Sequence, residues 1–508
     1  MCGIAAMIDP RAGAESESAV RRREQELLSM LGRIRHRGDA ECFGERWAGP
    51  GVALGTNRLA IVDREHARQP QADATGQVRV VFNGELYGYL DLRRELEDLG
   101  HVFRTFSDTE VLVHAYLEWG ADFVGRLDGM YAFVLYDGRQ GSFLAARDHI
   151  GIKPLYYAVR DGVYSFASEQ KCLWGHGDVI TMAPGTRMRD GVVTRYADLE
   201  TEPPDLTPDE AVATYRTLFH EAVRKQVQTD LPIAVMFSGG IDSAAVLHVA
   251  RKYHPRVTAV TVGFPGAADI AVARRYCEEF GVPHIVAGLD REALIESIPD
   301  VVYGSEHFEA IDVFDACFGN FAYHQVSRHG FKVALCGEGS DEVLAGYDIF
   351  RTHEDPVGLM RYRVGNLHRT DLQRVDRSSM MNSVETRVPF MDRDLLTFSY
   401  NLPMDLKLRG GVEKWILRQA FEGDLPPYIA NRPKARMPDG SGLKNTLVEY
   451  ARRPADVDED LLRELGIETQ EGAFLLSVYL KAGFPVPKER HKRPGYDYPA
   501  NAYFDFVS

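Results

Sequence analysis

Three short stretches carry residue types that could do chemistry. In Ser238-Gly239-Gly240-Ile241-Asp242-Ser243, two adjacent glycines stand after an apolar run at 233–237. Behind them Ala245, Val246, Val249 and Ala250 recur at helical spacing. Strand, glycine turn and helix make a phosphate cradle. The glycines let the backbone approach closely, and their amides with the helix N-terminus point at an anion. Ser238 and Ser243 add hydroxyl donors, and Asp242 could hold Mg²⁺ against phosphates. No Walker A pattern, GxxxxGK[ST], is present. A glycine-rich turn without a ligand is the plain alternative. The second stretch, Cys336-Gly337-Glu338-Gly339-Ser340-Asp341-Glu342, is acidic and follows another apolar run. Two such turns facing one cleft suit a magnesium–pyrophosphate group, while one alone could be a solvated turn. The third is Cys2. Once the initiator Met is removed, Cys2 carries a thiol and a free α-amine, so nucleophile and base share one residue. With Met1 retained the amine is locked in an amide and that chemistry fails.

The chain must position these groups with 508 residues, which predicts two domains or more. A net charge of −15 argues against a general nucleic-acid binder. The six cysteines are scattered without a CxxC pair, which speaks against a disulfide framework or a zinc site and fits a reducing cytoplasm. No apolar run is long enough for a membrane span, and MCGIAAMIDPRAG lacks a signal peptide's basic start and apolar core. Residues 198–208 are acidic and proline-rich and read as a linker between domains at 2–197 and 209–508. Thr207-Pro208-Asp209-Glu210 has the form of a helix start, with Val212, Tyr215, Phe219, Ala222 and Val223 as its buried face. Beyond it, short β-rich runs at 257–264, 284–287 and 331–336 alternate with helical patterns such as 268–280. That alternation predicts a parallel α/β sheet whose ligand sits past the carboxyl ends of the strands.

The N-terminal half offers a series of motifs. Arg35-His36-Arg37-Gly38-Asp39 follows an amphipathic helix near 19–34. Arg58-Leu59-Ala60-Ile61-Val62-Asp63 reads as strand, and residues 80–87, VVFNGELY, as a strand ending in a turn. Ser107-Asp108-Thr109-Glu110 opens a helix with Ser107 or Asp108 as cap. Residues 129–137 form a buried strand, and ARDHIGIKPLYY at 146–157 and FASE at 166–169 complete the series. Together, from Cys2 to about Tyr196, they resemble the class II glutamine amidotransferase domain, an N-terminal-nucleophile (Ntn) hydrolase with an αββα sandwich. The resemblance implies that Cys2 attacks the side-chain amide of glutamine, forming a thioester and releasing ammonia. Arg58 would pair with the substrate α-carboxylate, and Asp108 and Glu85 would answer its ammonium. The Asn83 side chain and the Gly84 N–H would form the oxyanion hole. Leu59, Ala60, Ile61 and Val62 would line the glutamine pocket. The family's proline between Gly38 and Asp39 is missing here, so a looser loop over 35–39 is expected.

SGGIDS resembles the pyrophosphate loop of ATP pyrophosphatases. With GEGSDE, with DRSSMMNSVETRVPFMD at 376–392, with EKWILR at 413–418 and with Arg432-Pro433-Lys434, it resembles the synthetase domain of glutamine-hydrolysing asparagine synthetase, over about Asp209 to Phe504. This implies ATP and Mg²⁺, with Asp242 and Asp341 holding Mg²⁺–pyrophosphate. Lys414 would neutralise charge at the α-phosphate, and Glu338 would take a proton from attacking ammonia. Phe237, Val262 and Gly337 would hold adenosine. Ser238, Gly239, Gly240, Ser243 and Cys336 would complete the ATP site. A shielded path for ammonia also follows from the resemblance, and homodimers are common among such relatives, although no stretch here demands one.

The acceptor is less well marked. Where the family's helix before GEGSDE carries two threonines and an arginine for aspartate, Phe314, Asp315 and Cys317 stand here. Three readings follow: a ligase amidating aspartate, the same chemistry on another carboxylic acid, or a silent metabolite-binding homologue. Retention of Cys2, Asp242, Glu338, Asp341 and Lys414 speaks against the third.

Overall fold

Side chains alternate along the N-terminal strands between two apolar environments, and two stacked sheets with covered outer faces result. The computed structural model describes residues 1–433 and 450–487. It divides into two compact units, Met1–Leu199 and Glu200–Ser508. Lys434 lies outside the described residues.

In the first unit one sheet is built from β1 (Gly3–Ile8), β2 (Glu45–Gly49), β3 (Val52–Asn57), β8 (Tyr156–Arg160), β9 (Val163–Ala167) and β10 (Ile180–Thr181). Their order is β10-β8-β9-β1-β3-β2. The other holds β4 (Gln71–Ala72), β5 (Val78–Leu86), β6 (Gly129–Asp137), β7 (Ser142–Arg147), β11 (Thr186–Arg189) and β12 (Val192–Arg195), in the order β12-β11-β7-β6-β5-β4. Ile4, Ala6 and Ile8 pack with Val81, Ala132, Val134 and Ala145 between the sheets. The alternate residues Ala5 and Met7 join Leu27, Met30 and Leu31 of helix Glu17–Arg33. Val80, Phe82, Phe133 and Leu135 join Val111, Leu112 and Ala115 of helix Asp108–Trp119. Each inner strand is therefore apolar on both faces, which is why 129–137 reads as a continuous buried run. The layers are α, β, β, α, the expected Ntn sandwich. Ser107, not Asp108, caps the second helix by accepting from Thr109 N.

In the second unit, helix Pro208–Gln226 opens with a complete capping box between Thr207 and Glu210. Ala211 rather than Val212 heads its buried stripe. The sheet is wholly parallel: β13 (Ile233–Met236), β14 (Val257–Gly263), β15 (His284–Gly288), β16 (Val333–Leu335) and β17 (Glu385–Arg387). Their order is β15-β14-β13-β16-β17. The chain runs outward from β13 to β15, then returns to the other side of β13. The switch point therefore lies between the carboxyl ends of β13 and β16, where a doubly wound sheet opens its ligand crevice. SGGIDS leaves β13 there, and the Cys336–Glu342 stretch leaves β16.

Candidate active sites

The register of β1 against β3, with Gly3 opposite Asn57, sets Cys2 beside Arg58. Asn83 projects from β5 and accepts the Cys2 N–H at Oδ1, 3.0 Å. That bond fixes which way the amide points. Asn83 Nδ2 is buried and makes no hydrogen bond among the described residues, and the same holds for Arg58 Nη1. Arg58 Nε lies 3.3 Å from Glu45 Oε2, and its Nη2 lies 3.3 Å from Cys42 Sγ. Burial pushes the Cys2 thiol up from its ordinary value. The terminal ammonium, the Leu59 N–H and the Arg58 guanidinium oppose that rise.

The loop over 35–39 is tied down without the missing proline, contrary to the expectation of a looser loop. Arg37 is fully buried, donates to the Cys2 carbonyl at 3.2 Å and pairs with Glu169 Oε1 at 2.8 Å. His36 meets the same carboxylate at 3.0 Å. Asp39 Oδ2 accepts from Ala60 N at 2.9 Å. Thus RHRGD and FASE, far apart in sequence, meet behind the nucleophile. Ile61 is buried and Val62 half-buried, and neither bonds to Cys2 among the described residues.

Glu85 and Asp108 share one neighbourhood. Burial first, then the carboxylates of Asp108 and Glu85, push the Tyr89 phenol up to about 12. Asp108 also accepts from Leu86 N at 3.1 Å. Gly84 sits within β5 opposite Tyr131. Sequence reading missed Gln69. Its Oε1 accepts from Phe82 N at 2.8 Å and its Nε2 lies 3.7 Å from Cys2 Sγ. Nothing in its local pattern signals this, because the contact joins segments distant in sequence. ARDHIGIKP does architectural work. The Asp148 carboxylate gathers N–H groups of Tyr131, Gly151, Ile152 and Lys153.

At the switch point of the second unit lies a cavity of about 320 Å³, within the usual range for small-molecule sites. Phe237, Ser238, Gly240, Asp242, Ser243 and Val262 line one side, and Cys336, Gly337, Glu338 and Asp341 another. Gly239 does not line it. Its φ of +72° makes the left-handed turn that lets the chain leave β13. The two loops approach so closely that a Cβ on Gly337 would lie 2.9 Å from Asp242 Cβ.

Lys414 is buried between them. Its Nζ lies 2.6 Å from Asp242 Oδ2, 2.7 Å from Asp341 Oδ1 and 3.2 Å from Ser340 Oγ. The residue is held in left-handed backbone, φ 53° and ψ 34°, a conformation that costs on the order of 1–3 kcal/mol outside glycine. Gly346 makes room for the pair, since a Cβ there would lie 2.1 Å from Asp341 Oδ1. Two hard carboxylate donors already share one cation, so the donor set suits Mg²⁺. Burial first, then Asp371 and Asp341, push Glu342 up to about 8.

Arg374 was also missed. From helix Asp371–Met380 it reaches Glu338 Oε1 at 2.5 Å, Asp371 Oδ1 at 2.7 Å and Asp315 Oδ2 at 3.4 Å. Phe314 and Cys317 are buried away from the cavity wall, whereas Asp312 and Asp315 line it. Much of the long motif at 376–392 is scaffold. Arg377 pairs with Glu306 at 2.9 Å, and Arg387 pairs with Glu385 at 2.7 Å, all of them buried. Arg432 Nη1 donates to Ser238 O at 3.2 Å and its Nη2 pairs with Asp269.

Comparison with known proteins finds a domain family for each unit. Residues 1–207 match the glutamine amidotransferase domain family, and 214–358 and 351–471 match the asparagine synthase family. The chain is 33% identical to asparagine synthetase [glutamine-hydrolyzing] 2 of Arabidopsis thaliana, over 87% of this chain and 79% of that one. It is 32% identical to Arabidopsis asparagine synthetase 3, over 97% and 89%. It is 32% identical to asparagine synthetase 2 of Oryza sativa subsp. japonica, over 97% and 88%. No helix among the described residues is long and apolar enough to cross a membrane. The chain belongs to the glutamine-hydrolysing asparagine synthetase family.

Proposed function

We propose that this protein is a glutamine-dependent, ATP-consuming ligase that converts aspartate to asparagine, with release of AMP and diphosphate. The observation that carries the reading is Cys2 anchored through its N–H to Asn83 Oδ1, with Asn83 Nδ2 and Arg58 Nη1 left as buried donors with no hydrogen-bond partner among the described residues. Each suits an anion of the glutaminase reaction. Arg58 fits the substrate α-carboxylate, and Asn83 fits the oxyanion that forms when sulfur adds to the amide carbon. With Met1 removed, the α-amine held by Asn83 Oδ1 takes the thiol proton and passes it to departing ammonia. Water then cleaves the thioester to glutamate.

In the second unit the acceptor carboxylate oxygen attacks the α-phosphorus of ATP, the bond to the β-phosphate oxygen breaks, and pyrophosphate leaves. Lys414 offsets charge on the phosphates. Asp242 and Asp341 would hold Mg²⁺, which would supply charge neutralisation for the pyrophosphate. Ammonia nitrogen then attacks the acyl carbon, Glu338 accepts its proton, and AMP departs. Diphosphate release is measured with ATP, Mg²⁺ and glutamine, with and without aspartate, on protein whose N-terminus is read by mass. Aspartate-dependent diphosphate with equimolar asparagine supports the reading. Glutaminase activity without any aspartate-dependent diphosphate overturns it in favour of another acceptor. A retained Met1 with no glutaminase activity removes the first half-reaction.

A further inference from the structure

The helix expected to supply a cation for the acceptor presents none to the cavity, and the charged residues it does present there, Asp312 and Asp315, are acids. In helix Ala310–Arg328, Asp312 and Asp315 are three residues apart and share one face. The cavity's other cations are engaged elsewhere. Lys414 bridges Asp242 and Asp341, Arg418 pairs with Glu413 at 2.5 Å, Arg432 pairs with Asp269, and Arg363 lies over the Tyr347 ring, 5.0 Å from its centre. Arg374 differs in place. It reaches the same helix from its neighbour, where the two pack so closely that a Cβ on Gly319 would lie 3.0 Å from Ser378 Oγ. One of its guanidinium nitrogens contacts the base position, Glu338, and the other contacts Asp315.

Resting on the function proposed above, we propose that Arg374 is the acceptor's α-carboxylate ligand and that Asp312 and Asp315 bind its α-ammonium, so that the site selects α-amino acids over simple dicarboxylic acids. Four carboxylates, Asp312, Asp315, Glu338 and Asp371, surround one guanidinium. Burial disfavours the charge on Arg374, yet those four acids hold its pKa well above the ordinary value. The surplus of negative charge repels an acceptor that carries two carboxylates and no cation. A zwitterion answers both signs: its carboxylate takes N–H donors from the long 3.4 Å bond to Asp315, and its ammonium takes the acid thereby released. Of the five N–H donors on a guanidinium, this exchange uses the least well bonded.

The test compares three molecules on the full chain: aspartate, β-alanine, which lacks the α-carboxylate, and succinate, which lacks the ammonium. Each is measured as acceptor by diphosphate release and as competitor of aspartate by inhibition constant. Wild type should prefer aspartate to either analogue by roughly 10²-fold or more. Arg374→Met should weaken aspartate by roughly 10²-fold, chiefly in KM, and leave β-alanine within about threefold, so that the preference collapses. Asp315→Asn should weaken aspartate and leave succinate unchanged or improved. Arg374→Lys, which keeps the charge and loses the fork, should fall between. An equal loss for aspartate and β-alanine in Arg374→Met overturns the proposal and leaves Arg374 as a residue that positions Glu338. An unchanged KM for aspartate overturns it as well. Unaltered glutaminase activity and an unaltered ATP-induced rise in melting temperature show that each variant is folded. If wild type uses no amino acid as acceptor, the functional reading itself fails, whatever the variants do.

Discussion

The two sites meet the cost of buried polarity in opposite ways. Around Cys2 two donor atoms aimed at substrate wait without a hydrogen bond, Asn83 Nδ2 and Arg58 Nη1, both buried and unbonded among the described residues. At the sheet ends the charges are closed on one another, Lys414 on Asp242 and Asp341, and Arg374 on Glu338, Asp371 and Asp315. The difference follows from magnitude. A neutral amide donor left unmet costs about 1–3 kcal/mol, which a fold of this size tolerates. A bare buried charge costs several kcal/mol, so full charges must pair in the free protein, as Arg58 also does through its Nε with Glu45 while one of its N–H donors, on Nη1, stays unmet. The first site is thus preorganised for an oxyanion and needs no rearrangement. The second must exchange its internal ion pairs for metal, phosphate and acceptor. Lys414, in strained backbone between two carboxylates, is where that exchange is centred.

The largest effect expected is the loss of the nucleophile. Cys2→Ala should lower glutaminase activity by at least roughly 10³-fold. Diphosphate release with aspartate and an ammonium salt should persist, because the second site is built separately. If the ammonia-driven reaction is lost as well, the two sites are not independent and the contrast between them breaks.

Lys414→Met should lower diphosphate release by roughly 10²–10³-fold with glutaminase activity intact. It should also destabilise the second unit by about 3–5 kcal/mol, since two carboxylates would face each other without their cation. Asn83→Ala should likewise lower glutaminase kcat by roughly 10²–10³-fold. Its stability should change by under about 1 kcal/mol, because the bond lost at Oδ1 is offset by removal of an unmet donor. Thermal melts of the two variants therefore sharpen the comparison, and equal destabilisation would contradict it.

Protonation gives a smaller effect. Burial raises the Cys2 thiol above its ordinary value of 9.0. In protein that retains Met1, thiolate should form only as pH climbs past about 9, so iodoacetamide labelling of Cys2 should be slow at neutral pH and rise steeply above that value. Rapid labelling at pH 7 would show that Arg58 and the terminal ammonium outweigh burial.

Much of this was legible in sequence because strand and loop positions carry their own signals. SGGIDS reads as a strand–turn–helix cradle from its glycines and flanking apolar runs, and the parallel sheet reads from alternation. Helix 268–280 is found where periodicity places it. What sequence could not show are contacts set by packing between distant elements. Gln69, just before β4, meets Cys2, just before β1, and Arg374 reaches helix Ala310–Arg328 from a helix packed against it. β17 escaped notice because Glu385 and Arg387 are charged, and only their pairing inside the core makes the segment a strand. The same limit affected the acceptor. A linear reading gives Phe314, Asp315 and Cys317 equal weight, while the helix turns Phe314 and Cys317 into the core and leaves Asp315 on the cavity.

The contrast between the units extends to a buried acid away from either reaction. Glu110 stands in the first turn of the helix that begins at Asp108. Its carboxylate accepts from Arg104 N at 2.9 Å, Thr105 N at 2.7 Å and the Thr105 hydroxyl at 2.6 Å. It thereby ties the preceding turn to the helix that carries Asp108. Burial works against its charge, yet the bonds from His114, Thr105 and Arg104 lower it to about 2, below its ordinary 4.5. A carboxyl depressed in the folded state binds more protons when unfolded, so its contribution is fully present above about pH 4.5 and is lost as pH falls toward 2. Glu110→Gln should cost about 1–2 kcal/mol at neutral pH and flatten the acid limb of the first unit's stability over that window. Because three of the four partners are uncharged, two backbone N–H groups and a hydroxyl, the loss should depend little on salt. The cost of Lys414→Met, which severs ion against ion, should shrink as salt rises. Equal salt dependence in both would mean that Glu110 is held chiefly by the charge of His114, and the first unit would then follow the same rule as the second.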